Sequence, residues 1–306
     1  MPARPSELVL LDGGVGQEVF SRRTGPASRV WATQVMIDRP DLVEAVHLDF
    51  IRAGARIITV NAYAVTPQKL ARVAKVDMFD ELQHAALDAA HRARDTSGEN
   101  VSIAGCLPPL AGSYRAELTP PDDVCLSDYR RIVGIQADRV DLFLCETMVS
   151  AREARIATTV AAESGKPVWT ALTVDERDGT LLRSGDPVSD GVEAAIETGA
   201  EAVLVNCSSP ESTTAALPIL AGRGVPFGAY ANGFVTVAPL RPGKTVDILE
   251  ARRDLDPKTY VHHVRDWIAQ GATIVGGCCE IGPEHIAVLA RDLQHAGHDL
   301  VSAFRL

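Results

Sequence analysis

AGARIITVNAY, residues 53–63, contains a complete passage from helix to strand. Gly54 is placed to end the helix that Pro40 opens, because glycine enters the left-handed helix terminus without steric cost. Ile57–Asn61 is then an apolar run without polar alternation, as a parallel strand buried on both faces requires. Polar residues follow at its end, in Asn61 and Tyr63. The unit recurs. TGA at 198–200 and QGA at 270–272 repeat the turn. Further apolar runs lie at Leu8–Asp12, Val101–Gly105, Leu142–Glu146, Val168–Val174, Ala202–Cys207, Phe227–Ala231 and Thr273–Cys278. Helical patterns separate them at Asp80–Arg94, Ala151–Glu163, Asp190–Thr198, Thr213–Ala221, Pro257–Gln270 and Pro283–His295. Eight strands alternating with helices, with no linker or low-complexity segment, predict an α/β chain folded as one (β/α)8 TIM barrel across residues 1–306. A doubly wound open sheet is the alternative architecture.

Composition narrows the function. The 306 residues carry 30 Lys+Arg against 40 Asp+Glu, a formal net charge of −10, and no basic cluster runs along the chain to meet phosphates. Nucleic-acid binding is therefore disfavoured. No apolar stretch approaches the roughly 18 residues that span a bilayer, so no membrane insertion is expected. MPARPSELVLLDGG at the start has no apolar core before a cleavage site, which points away from secretion and toward a reducing cytoplasm. Six cysteines are too few for a disulfide scaffold. Cys106, Cys125 and Cys145 read as buried core thiols. The adjacent pair Cys278-Cys279 does not fit that default.

In such barrels the active site lies at the C-terminal ends of the strands. Strand one ends in Asp12-Gly13-Gly14, strand four in Cys145-Glu146-Thr147 and strand six in Asn206-Cys207. Strand seven ends in Tyr230 and Asn232, and strand eight in Gly276-Gly277-Cys278-Cys279. Cys207, Cys278 and Cys279 could thus hold one metal, with a fourth tetrahedral position left for substrate or water. Consecutive cysteines on a regular strand face opposite ways. Gly276-Gly277 is expected to let the backbone leave strand geometry so that both sulfurs converge. Position alone leaves metal ligation and simple core packing both open. His47, His84, His91, His262 and His263 lie on helical patterns and are expected at the surface. His285, near the proposed metal, suits a helix start or a supporting contact better than ligation. The chain has no HxxxH pair, Walker loop, GxGxxG after a strand or GxSxG elbow.

These residues resemble the homocysteine S-methyltransferase family, a group of zinc-dependent barrels. The resemblance runs nearly end to end, through LLDGG (10–14), AGARIITVNAY (53–63), DLFLCET (141–147), AVLVNCS (202–208), GAYANG (228–233) and GGCCEIGPEHI (276–286). It implies Zn²⁺ as cofactor, with Cys207, Cys278 and Cys279 as ligands. Asp12 and Glu146 match acidic residues that hold the amino group of homocysteine, beside the Gly13-Gly14 backbone. Asn206 would orient the first ligand or contribute to the acceptor pocket, and Tyr63 matches a tyrosine at the substrate site. No catalytic group beyond the metal site is implied. Two loops depart from the common pattern: GCLPPLAGSYRAEL after strand three, and YANG after strand seven. Both border the expected donor side.

The implied reaction moves a methyl group from an onium donor to the metal-bound thiolate of homocysteine, giving methionine. A free thiol has a pKa near 8.5, and zinc coordination deprotonates it outright. Three thiolates on Zn²⁺ leave a formal charge of −1, and the acceptor thiolate makes it −2, so the bound sulfur stays nucleophilic. Tyr63, Tyr114 and Trp31 are candidates to face the onium methyls by cation–π contact. Among family donors, a sulfonium, with S-methylmethionine first, is preferred over betaines. Two other readings stand beside this one. The first is a barrel lyase or hydrolase using Asp12 and Glu146 as acid and base with structural cysteines; the second is a non-catalytic zinc-binding barrel.

Overall fold

The eight expected strands all form, and each is parallel to its neighbours. In the computed structural model, which describes residues 7–23, 32–240, 244 and 246–303, they are β1 (Glu7–Leu10), β2 (Ile57–Thr59), β3 (Ser102–Leu107) and β4 (Leu142–Met148). Then come β5 (Val168–Leu172), β6 (Ala202–Asn206), β7 (Phe227–Tyr230) and β8 (Ile274–Val275). A ninth, β9 (Asp299–Leu300), adds to the outer side of β1. The sheet order is β2-β3-β4-β5-β6-β7-β8-β1-β9. Closure comes from a parallel bridge between Leu11 and Ile57, with Asp12 N donating to Ile57 O at 3.0 Å. The sheet is thus a barrel and not an open doubly wound layer.

Alternation exists in the strands, but both sets are apolar. Val9 and Leu11, Leu142 and Leu144, Trp169 and Ala171, and Ala202 and Leu204 fill the barrel interior. Their neighbours Leu8, Leu10, Phe143 and Val203 pack outward beneath the helices. Both faces are buried, which is why the sequence reads as continuous apolar runs.

The helices begin and stop where local chemistry dictates. Ser150, Ser209 and Asp256 cap the helices Ala151–Ala162, Pro210–Leu220 and Pro257–Ala269, each side-chain oxygen accepting a backbone N–H from three residues on. Gly54 ends Pro40–Ala53 at φ +111°. The helix Asp122–Gln136 is absent from the sequence reading; its mean hydropathy is slightly negative and its start, Pro-Pro-Asp-Asp, looks like a loop. His47 corrects another expectation: it is fully buried in Pro40–Ala53. His84 and His262 are exposed as anticipated, while His91 is half-buried with Nε2 2.8 Å from Arg139 O. No helix among the described residues is long and apolar enough to cross a membrane. Trp31 lies outside the described residues.

Candidate metal centre

Three sulfurs meet at the C-terminal mouth. Those of Cys207, Cys278 and Cys279 lie within 4.8 Å of one another, and the Cys278 and Cys207 Sγ atoms are 2.7 Å apart. Sulfurs each about 2.3 Å from a shared tetrahedral zinc stand roughly 3.8 Å from one another, so the three are close enough to share one ion once the Cys207–Cys278 pair opens by about 1 Å. Cys207 directly follows β6 with φ +48°, a left-handed turn that swings its thiol toward the mouth. β8 ends two residues before Gly277, so both adjacent cysteines lie beyond the strand, in a turn closed by Ile281 N donating to Cys278 O at 3.0 Å. The two glycines serve differently from the expectation. Neither has positive φ; a Cβ on Gly276 would stand 2.6 Å from Leu11 Cβ, and one on Gly277 would stand 2.2 Å from Ile281 Cγ2. Close approach, not unusual torsion, demands glycine there.

The thiols act on one another. Hydrogen bonds from the Cys278 and Cys279 thiols hold the Cys207 thiol well below its ordinary range. Tyr114 adds a contact, its hydroxyl 2.9 Å from Cys207 Sγ. Among the described residues this is the group of three or more metal-ligating side chains that converges, and it is a donor set suited to a soft or borderline metal ion.

The centre opens into a cavity of about 170 Å³, whose walls include Asp12, Gly13, Gly14, Tyr63 and Glu146. Asp12 is buried, and its Oδ2 accepts Thr59 N at 2.7 Å. Burial raises its carboxyl well above the usual range, and the nearby Glu146 adds to that. Burial likewise pushes Glu146 up to about 7, opposed by a hydrogen bond from Cys106 Sγ to Glu146 Oε1 at 2.9 Å. Two desolvated carboxyls in one cavity are matched by a ligand that brings positive charge. Gly13 and Gly14 have no room for side chains: a Cβ would meet Ile281 O at 2.0 Å and Cys278 O at 2.6 Å respectively. The loop after β1 therefore lies directly on the cysteine turn.

Asn206 is fully buried and does not line the cavity. Its Oδ1 accepts Thr147 N at 2.9 Å and its Nδ2 donates to Thr147 Oγ1 at 3.0 Å. Thr147 has φ +63°, so Asn206 holds the bent segment between Glu146 and the end of β4. Tyr63 shares a hydrogen bond with Ser113 Oγ at 2.7 Å, linking the loops after β2 and β3. His285 is placed as a supporting contact: its Nε2 is 3.2 Å from Leu255 O, and its ring meets Tyr260 edge-on. Tyr260 in turn donates to Gly276 O at 2.7 Å and accepts Ala231 N at 3.2 Å.

The sequence reading gave several residues in and around the cavity no role there. Cys106 is buried as expected of a core thiol, yet it is the hydrogen-bond donor to Glu146. Asn61 Nδ2 and Tyr230 OH line the cavity, buried and without a hydrogen-bond partner among the described residues. Both sit at strand ends, as the sequence placed them, though it gave neither a role. Lys69, on the short helix Pro67–Ala71, is 9% exposed in the cavity wall, and burial pushes its ammonium down to about 7. Nothing in the sequence around it marks it, because only the barrel's closure turns it inward.

Fold and site together define a closed α/β barrel with a thiol-lined, metal-competent centre beside two buried carboxyls. Residues 9–293 match the family model described as homocysteine S-methyltransferase. The chain belongs to the homocysteine S-methyltransferase family. It is 29% identical to the homocysteine S-methyltransferase of Escherichia coli over 316 aligned positions, covering 92% of this chain and 94% of that one. It is 27% identical to the selenocysteine methyltransferase of Astragalus bisulcatus, covering 90% of each. The crystal structure of the E. coli homocysteine methyltransferase in its metallated form superposes with a TM-score of 0.77 at 26% identity, covering 93% of this chain and 96% of that one.

Proposed function

We propose that residues 1–306 act as one cytoplasmic, homocysteine-binding barrel. It would be a zinc-dependent S-methyltransferase that moves a methyl group from an onium donor to homocysteine and gives methionine. S-Methylmethionine is the first candidate donor, ahead of other sulfoniums and betaines. The observation that carries this reading is the convergence of three thiols, two buried and one half-buried, beside Asp12 and Glu146 in one cavity. Cys207, Cys278 and Cys279 would hold the zinc, which supplies a deprotonated acceptor thiol at neutral pH.

The chain's own residues do the rest. Asp12 and Glu146 take the acceptor's ammonium in a charge-assisted contact that fixes its direction. Cys106 and Thr59 N–H hold the two carboxyls in place. Tyr63 and Tyr230 close the cavity walls and exclude water from the positively charged donor. In the transfer a new C–S bond forms on the acceptor sulfur. The donor's bond to the methyl carbon breaks with its electron pair, leaving a neutral sulfide or amine. No general acid is needed.

The test combines metal analysis of the purified protein with methionine formation from homocysteine across a donor panel. Stoichiometric zinc with donor-dependent methionine supports the reading. Cys278→Ser should lose zinc and transfer together, and a fully active Cys278→Ser protein would overturn it.

A further inference from the structure

The chain has five tyrosines, and four of their hydroxyls are hydrogen-bonded within the fold. Tyr63 OH meets Ser113 Oγ at 2.7 Å and Tyr114 OH meets Cys207 Sγ at 2.9 Å. Tyr129 donates to Pro108 O at 3.0 Å, and Tyr260 to Gly276 O at 2.7 Å. Tyr230 is the exception. It is 4% exposed, and its hydroxyl has no hydrogen-bond partner among the described residues. A buried hydroxyl left unpaired costs free energy that a phenylalanine in the same place does not. Nothing among the described residues offsets that cost, and Tyr230 lines the cavity.

Its position narrows what the hydroxyl can meet. Tyr230 ends β7, its backbone O accepts Cys207 N at 3.1 Å, and its side chain packs in the barrel interior with Leu144. Glu146 stands two residues after Leu144 on β4 and so shares that interior face. Burial raises the Tyr230 phenol well above its ordinary range, and Glu146, then Cys278 and Cys207, add to that. The group is thus a neutral hydroxyl, able to donate and to accept, between Glu146 and the cysteines. Asp12 follows β1, Glu146 lies in β4 and Tyr230 ends β7, so the three are spread around the mouth at intervals of three, three and two strands. A primary ammonium has three N–H bonds, and two carboxyls leave one of them unassigned. Asn61 Nδ2 is also unpaired in this cavity, but an amide nitrogen only donates and cannot take that hydrogen.

We propose that the Tyr230 hydroxyl is the third hydrogen-bond acceptor for the ammonium of the acceptor amino acid, beside Asp12 and Glu146. It reads the α-amino group and favours amino-acid thiols over simple ones. The inference rests on the proposed function and adds a residue to its acceptor site.

The experiment measures, by calorimetry on zinc-loaded protein, the binding of homocysteine and of 4-sulfanylbutanoate, which is homocysteine without its amino group. Tyr230→Phe should weaken homocysteine by about 10- to 100-fold, the range of a hydrogen bond to a charged group. It should leave 4-sulfanylbutanoate unchanged. Because the hydroxyl has no partner within the fold, the melting temperature of the ligand-free variant should equal or exceed that of the wild type. Unchanged homocysteine affinity overturns the proposal, as does an equal loss for both thiols. A lowered melting temperature overturns it too, since the hydroxyl would then serve the fold. If 4-sulfanylbutanoate binds neither protein, Tyr230→Phe is repeated in an Asp12→Asn background. Losses for homocysteine smaller than the sum of the single effects support a shared ammonium, and additive losses overturn it. Absence of homocysteine binding by the zinc-loaded wild type overturns the methyltransferase reading itself, whereas the other adverse outcomes remove only the role of Tyr230.

Discussion

At the scale of single residues, the carboxyl of Glu146 would, under the proposed function, set the pH behaviour of acceptor binding. It is held near 7 by burial, so it is charged above that value and neutral below. Under the proposed function the homocysteine KM should therefore rise as pH falls through about 7, and Glu146→Gln should flatten that limb. Cys106 hydrogen-bonds the charged form and so lowers the Glu146 pKa. Cys106→Ala should move the limb to higher pH and raise the homocysteine KM a few-fold, whereas Cys106→Ser should keep both near wild type. A pH profile of kcat/KM for homocysteine reads this directly. Gly13 is a second sensitive point, since an added Cβ would press on Ile281 O at 2.0 Å. Gly13→Ala should cost about 1–3 kcal/mol of stability and displace the cysteine turn, measured by denaturant unfolding and by zinc content.

At the scale of elements, the site depends on how strand ends are bent and tied together. Asn206 at the end of β6 fastens Thr147 in β4 through two hydrogen bonds, and Thr147 follows Glu146. Asn206→Ala should leave the Thr147 N–H buried and unpaired, at a cost of about 1–3 kcal/mol. It should also raise the homocysteine KM, because Glu146 loses its fixed backbone. An Asn206→Ala protein with wild-type stability would remove this role. The ends of β6 and β8 were legible in the sequence because NC and GGCC are chemically unusual for a buried strand. The tie from Asn206 to Thr147 was not, since the two are 59 residues apart and only the barrel brings them together. The helix Asp122–Gln136 was missed for a different reason. Its five buried positions, Cys125, Tyr129, Ile132, Val133 and Gln136, include too few large aliphatics to stand out from its polar face.

At the scale of the whole molecule, buried titratable groups outside the cysteine centre couple folding to pH. His47 lies in the core with neither ring nitrogen hydrogen-bonded among the described residues, and burial pushes it down from 6.5 to about 4. The unfolded chain binds that proton more readily, so stability is full above about 6.5 and falls as pH drops toward 4. The loss is on the order of 3 kcal/mol in total. Glu146 and Glu153 act in the opposite sense, because their raised pKa values make the folded form hold protons up to about 7. Their contribution is present below the unfolded carboxyl pKa of 4.5 and is lost as pH rises through about 7. His47→Met should therefore flatten the acid limb of the stability curve between 6.5 and 4 and leave the carboxyl-dependent part intact. Urea unfolding across that range measures the difference, and an unchanged acid slope would contradict the assignment to His47.

The sequence by itself determined the barrel and the meeting of three cysteines at its mouth. Eight runs apolar on both faces can be buried only between a packed interior and a ring of helices, and glycine turns such as Gly54 place each run. Cys207, Cys278 and Cys279 follow from that placement, because strand ends in a closed barrel share one mouth. The tertiary structure alone decided which neighbours shape the cavity. Lys69, Arg72 and Cys106 look like ordinary helix and core residues, and His47 looks like a surface one. Burial depends on what the rest of the chain packs against each side chain, and contacts across tens of residues leave no local periodicity to read.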